Sequence, residues 1–226
     1  MQQDPSAHIA QLLTTKSGVK QVTFRNICKT FNELKDEAHK IIDDINSKTN
    51  GKDVDIILSV EEISDHEFQV KVAGDLLVFF LHTNIITLSD DYSYNKSEYV
   101  QEDANRKYLG QINIYNFMAD SLKYNRMNDP GYLLSRLMVN FENRFIVEGD
   151  KQINFMFETV STKQIEQVDL NVLIQLIITQ AIENDLVVPP FQKIRGLTLQ
   201  QKIAKTEIMG AGNKIGFQMT SFENSK

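Results

Sequence analysis

Between Tyr115 and Arg144 the chain gathers side chains that could hold an anionic ring. Tyr115, Tyr124, Arg126, Arg136 and Arg144, with Lys123 and Tyr132 among them, combine aromatic faces with cationic groups. Brought onto one sheet face, such residues stack on and pair with a nucleotide or a phosphorylated small molecule. Asn113, Asn116, Asn125 and Asn140 add amide donors and acceptors nearby. The same residues equally suit a solvated outer face, with arginine set opposite or diagonal to Glu142 and Glu158.

A second set could hold a hard divalent ion. His82 lies near the end of an apolar stretch and Asp90 and Asp91 lie just beyond it, while Asp53, Asp55, Glu61 and Glu62 flank another such stretch. If they converged they would fit metal-dependent phosphodiester hydrolysis. Acids at strand ends are more ordinarily solvated, so no residue is assigned as a metal ligand or a catalytic group. Cys28 sits beside Ile27 on an apolar stripe, the setting of an inert buried thiol. There is no P-loop, no glycine-rich dinucleotide fingerprint, no Gly-x-Ser-x-Gly elbow and no His-Glu-x-x-His. Nothing in the sequence names a cofactor.

Composition narrows the classes. A chain of 226 residues, 42% apolar and 24% charged, has material for a sizeable core. The net charge of −6 argues against broad binding to nucleic acid or an anionic membrane. Cys28 is the single cysteine, which excludes an intrachain disulfide and points to a reducing, cytoplasmic setting. Met1 to Ala10 lacks the basic and apolar regions of a secretory signal. Leu170 to Val188, the most apolar stretch, contains Gln175, Gln180, Glu183, Asn184 and Asp185, too polar to span a membrane. Charge is uneven along the chain. Pro189 to Lys226 holds six Lys/Arg against two Glu, or +4, and residues 1–188 hold eighteen against twenty-eight, or −10. A single domain over 1–188 with a basic extension over 189–226 is the expected organisation.

Periodicity supplies the elements. Asp4-Pro5 starts a short helix that should stop near Gly18. Phe24, Ile27, Phe31, Leu34, Ala38, Ile41 and Ile45 recur at steps of three and four, which predicts a helix over 20–47. That stripe fits either the sheet of its own domain or the same helix of a second copy. Strands are expected over 54–61, 67–72 and 76–88 as a meander, and another over 107–118. Ser89 to Lys107 contains no Ile, Leu, Phe or Met, an unusual polar insertion carrying Tyr92, Tyr94 and Tyr99. From Leu133 to Val147 the odd positions are mostly apolar and the even ones mostly polar, the alternation of a half-buried strand. A three-residue turn, Gly149 to Lys151, would then pair Val147 with Ile153 and Phe145 with Phe155. A buried helix from an Asp169 cap to about Asn184 follows, and a weaker one over 199–209.

The order of elements predicts an α+β fold. An antiparallel sheet of about six strands, a meander plus a long hairpin, packs against a long N-terminal helix and a buried C-terminal helix. The leading functional expectation is a non-catalytic binding or adaptor protein, homodimeric through the 20–47 helix, engaging a protein partner or small anionic ligand on an exposed sheet face. The alternatives are a sensor of a nucleotide-like ligand at Tyr115, Tyr124, Arg126, Arg136 and Arg144, and a metal-dependent phosphodiesterase or nuclease using His82, Asp90 and Asp91.

Overall fold

The computed structural model describes residues 4–49, 56–127, 129–149, 151–157 and 163–184, and beyond them 186, 187, 192, 196, 198–200, 218 and 219. The expected 189–226 extension and its 199–209 helix thus lie almost wholly outside the described residues.

The heptad stripe becomes the inner face of helix α2 (Gly18–Thr49). Ile27, Leu34 and Ala38 are fully buried, and Phe24 and Ile45 pack against the same core. The chain's own sheet and its C-terminal helix therefore cover most of the stripe, with Phe24 and Ile45 left partly exposed. Asp4 does cap the first helix, α1 (Pro5–Leu12), its carboxylate accepting from the Ser6 N–H at 3.1 Å and the Ser6 hydroxyl at 2.8 Å. The expected stop at Gly18 is not made. A π-helical turn, Leu13–Ser17, carries the chain into α2, and Gly18 keeps helical dihedrals. Glycine in a helix interior is costly only by about 1 kcal/mol, too little to end a rod with a long buried stripe.

Six strands form one antiparallel sheet in sequence order: β1 (Leu58–Ser64), β2 (Glu67–Val72), β3 (Asp75–Leu81), β4 (Gly110–Met118), β5 (Tyr132–Val139) and β6 (Phe145–Gly149). The α+β fold read from the sequence is the fold observed. Alternation assigns the two faces. Phe68, Phe79, Leu77, Ile112, Leu137 and Val147 point towards α2 and towards α7 (Gln167–Glu183), forming the main core. The two helices meet through Glu37 of α2. Its carboxylate accepts from Asn171 at 2.6 Å and Gln167 at 2.8 Å on α7, and from Lys40 at 3.2 Å. Asp169 is not the N-cap of α7. It is the third helical residue, accepting from the Glu166 N–H at 3.0 Å while Glu166 caps the helix.

The hairpin differs from the reading. The stretch from Leu133 to Val147 is two strands folded on each other, with Val139 opposite Phe145 and Leu137 opposite Val147. Asn140 makes the turn, its side-chain oxygen accepting from the N–H of Glu142 at 2.9 Å and of Arg144 at 3.0 Å. Asn143 supplies the left-handed residue, φ 61°. Gln152 to Phe157 is not the return strand but helix α6 (Lys151–Met156) and its end. Ile153 and Phe157, four apart, are buried, whereas Phe155 is 88% exposed. Phe145 meets Phe157, edge to face at 6.1 Å, rather than Phe155. β3 also ends earlier than expected, because the Asn84 N–H donates to His82 Nδ1 at 3.2 Å and turns the chain.

The polar insertion is structured. Two short helices, α3 (Ser93–Lys96) and α4 (Glu98–Glu102), and a 3-10 turn (Ala104–Lys107) bring Tyr94 and Val100 against Leu109, Met138 and Ile146. This second, smaller core lies on the sheet face turned away from α2.

Candidate functional site

The rest of that outer face carries the candidate site. Register sets Glu67, Phe80, Asn113, Arg136 and Glu148 in one row across β2 to β6. The neighbouring row is Gln69, Val78, Tyr115 and Leu133. A bulge between Ile114 and Tyr115 shifts the register of β4 against β5 there. Phe80 and Leu133 are each 40% exposed, although they sit in the middle of a sheet. Around them Gln69, Gln111 and Asn113 are nearly buried, and Gln111 donates to Asn113 at 2.5 Å. The Tyr115 and Phe117 rings, two residues apart on the same face, lie 6.4 Å from each other.

Tyr92, from the insertion, overhangs one end of this face. Its hydroxyl accepts from Arg136 at 3.3 Å, and Arg136 forms an ion pair with Glu148 on the neighbouring strand. Hydrogen bonding to the Glu148 carboxylate, with burial second, raises the Tyr92 pKa above the usual phenol range. The hydroxyl lies between the Glu148 carboxylate and the Arg136 guanidinium.

The remaining candidate residues stand elsewhere. Arg144 lies at the β5–β6 turn with its guanidinium 4.2 Å from the centre of the Tyr99 ring, and Arg106 lies 4.4 Å from the same ring. Tyr99 donates to Glu142 at 2.5 Å, and Asn140 donates to Tyr99 at 2.6 Å. Burial first, and the Glu142 carboxylate second, raise the Tyr99 pKa, while burial pushes Tyr94 up to about 12. Tyr124 and Arg126 sit at the opposite end of β5, in the connection that follows α5 (Ala119–Lys123). Arg126 is buried between Asp120 at 3.8 Å and Asp129 at 3.7 Å, and packs 5.3 Å from the Tyr124 ring. Structure thus brings Tyr115 and Arg136 onto one face, pairs Tyr124 with Arg126, and sets Arg144 apart. Three residues of the face, Phe80, Tyr92 and Glu148, were missed. The alternation of β3 held the signal for Phe80, which falls on the face opposite Phe79.

The face offers exposed apolar surface beside hydrogen-bonding groups. Among the described residues no three His, Cys, Asp or Glu side chains gather where they could hold a metal ion. His82 turns its Nδ1 to its own loop, and Asp90 and Asp91 are exposed. Cys28 is half-buried, and burial raises its pKa, the opposite of an activated thiolate. No helix among the described residues is long and apolar enough to cross a membrane. Comparisons with protein-family models, with curated proteins and with solved structures find no significant match to this chain.

Proposed function

We propose that this chain is a non-catalytic binding or adaptor protein that engages a protein partner on the outer face of its sheet. The observation that carries the reading is the exposure of Phe80 and Leu133 beside a polar row, Asn113–Arg136–Glu148. Apolar side chains ringed by polar groups are what the centre of a protein interface presents. An anionic small molecule is the weaker alternative. Arg136 already holds Glu148, Arg126 lies between two aspartates and Arg144 lies on Tyr99, so an anion would have to compete with each existing partner. A cytoplasmic setting belongs to the same reading, supported by the single unpaired Cys28. Self-association also belongs to it, but needs a surface other than the buried stripe of α2.

The test is site-specific photo-crosslinking in the native host. A crosslinker at Phe80 or Leu133 is expected to give a discrete adduct that Arg136→Ala weakens, while the same probe at exposed Arg25 on α2 gives none. Equal labelling from both faces, or no adduct from the sheet, refutes the proposal. Thermal stabilisation by nucleotides, lost in Arg136→Ala with Arg144→Ala, would instead establish the sensor reading.

A further inference from the structure

The sheet has two edges, and the chain closes one of them itself. At β6, Gln164 bridges to Arg144 and the Ile165 N–H donates to the Asn143 carbonyl at 2.9 Å. The Gly149 N–H, at the other end of that strand, donates to the Asn154 side chain at 3.1 Å. β1 has β2 on one side and no described strand on the other. The Ala73 N–H donates to the Ile57 carbonyl at 3.0 Å. Alternation from that bond turns the main-chain groups of Ser59 and Glu61 towards β2 and those of Leu58, Val60 and Glu62 outward. Asn46 of α2 agrees with this direction, donating to the outward Leu58 carbonyl at 3.3 Å. Among the described residues no hydrogen bond reaches the outward N–H and C=O groups of Val60 and Glu62.

We infer that the β1 edge receives an extended basic segment of another protein as one more strand of the sheet. A row of alternating N–H and C=O groups is complemented by extended main chain, so the edge itself sets the form of its occupant. Charge sets the composition. Glu61, Glu62 and Asp65 are exposed along this edge; Glu62 holds Lys35 at 2.7 Å, and Glu61 and Asp65 have no described cation. Two copies of β1 pairing with each other would bring both sets of carboxylates into one short ladder, which disfavours a second copy. A strand with lysine or arginine opposite Glu61 turns the same charge into attraction. In the chain's own extension, Leu186 and Val187 pair with Met219 and Gln218, away from β1. Alternation fixes the rest of the pattern. Val60 packs against the main core and Glu61 lies on the other face beside Gln69, so basic residues alternate with apolar ones that lengthen the core next to Val60. The bulge between Glu62 and Ser64 ends the regular edge and keeps the pairing short. This surface is separate from Phe80 and Leu133 and does not rest on the reading of that face.

Fluorescence anisotropy of the full chain with a short capped peptide alternating lysine and valine tests this. The peptide is expected to bind, and more weakly as salt rises. Glu61→Lys should weaken it on the order of tenfold, while the matching glutamate–valine peptide gains. Glu61 is exposed, so the melting temperature should hold. N-methylation of the peptide residues that face β1 should abolish binding, and N-methylation of the intervening ones should not. Hydrogen exchange at the Val60 and Glu62 amides should slow when the peptide is added. A lysine peptide that does not bind, that binds Glu61→Lys equally, or that is indifferent to either methylation pattern overturns the inference. Val60 and Glu62 amides already protected in the free monomer would overturn it by naming the chain's own extension as occupant. Protection that appears only in a dimer would overturn it by naming a second copy. Crosslinking from Phe80 and Leu133 is read independently of each of these results.

Discussion

Gly110 of β4 lies directly beneath Ile27 of α2: a Cβ on the glycine would stand 2.5 Å from both the Cβ and the Cγ2 of Ile27. The helix packs directly on the strand there, and only a residue without a side chain allows it. Gly110→Ala is expected to destabilise the protein by about 1–3 kcal/mol through overpacking. Gly74 has no atom within 4 Å of where its Cβ would stand. Gly74→Ala should therefore stay within about 0.5 kcal/mol of the parent. Urea denaturation of the two variants separates the cases.

Glu37 joins α2 to α7. Burial pushes its pKa up, but hydrogen bonds from Asn171, Gln167 and Lys40 outweigh that, and the net shift is downward from 4.5. A depressed carboxylate contributes stability that is present above its unfolded-state pKa and lost as pH falls through the folded one. Glu37→Ala should cost about 1–2 kcal/mol near neutrality, since the hydrogen bonds from half-buried Asn171 and exposed Gln167 to a charged acceptor are lost. The difference from wild type should shrink as the pH drops below 4.5. Stability curves at pH 7 and pH 3 measure both.

Helix α6 makes a prediction that a strand would not. Ile153→Ala should cost about 2–4 kcal/mol, while Phe155→Ala should cost less than about 0.5 kcal/mol. A return strand with Phe155 opposite Phe145 would make both substitutions severe. Chemical denaturation of the pair decides.

Tyr94 and Tyr99 should resist ionisation. Burial pushes the Tyr94 phenol up to about 12, and burial with the Glu142 carboxylate raises Tyr99 as well. A phenol whose folded pKa is raised contributes stability that is present below its unfolded pKa of about 10 and lost as pH rises through the folded value. Of the seven tyrosines, these two should give their tyrosinate absorbance only late or upon alkaline unfolding, and Tyr92, raised by Glu148, should also lag an ordinary phenol. Tyr99→Phe should remove one late step, visible in an ultraviolet titration.

The turn at Asn140 can be probed separately. Asn143 holds a φ of 61°, so Asn143→Ala should cost about 1 kcal/mol and Asn143→Gly should be tolerated. Asn140→Ala removes acceptors for two backbone N–H groups and the donor to Tyr99, and should cost more than either. Thermal melts of the three variants give the ranking.

What could be read beforehand follows from how each residue is packed. The stripe from Phe24 to Ile45 was legible because burial on one face forces its spacing. The hairpin was misread because Val139 and Phe145 are an even number of residues apart, so the same parity faces the core on both strands. Alternation runs through such a turn unbroken, and only Asn140 and Asn143 mark it. Ile153 and Phe157 at a spacing of four identified a helix, but Phe155 between them imitated a strand. The second core was invisible because its insertion buries Tyr94, whose hydroxyl is satisfied by the Arg106 carbonyl at 2.7 Å, and Val100 instead of leucine or phenylalanine. Arg126, Arg136 and Arg144 looked like neighbours because they are close in sequence. An extended β5 separates them by about 3.3 Å per residue, a distance that a list of residue types does not convey.

Every strand of this sheet pairs with its neighbour in sequence, while the two helices that cover its inner face come from opposite ends of the described chain. During synthesis the six strands can zip up on α2 as they emerge, long before α7 exists. For that interval the part of the inner face that α7 will cover has no roof. Nascent chains stalled ahead of Gln167 should therefore recruit holdase chaperones, and release from them should coincide with the appearance of α7, a vectorial order imposed by connectivity.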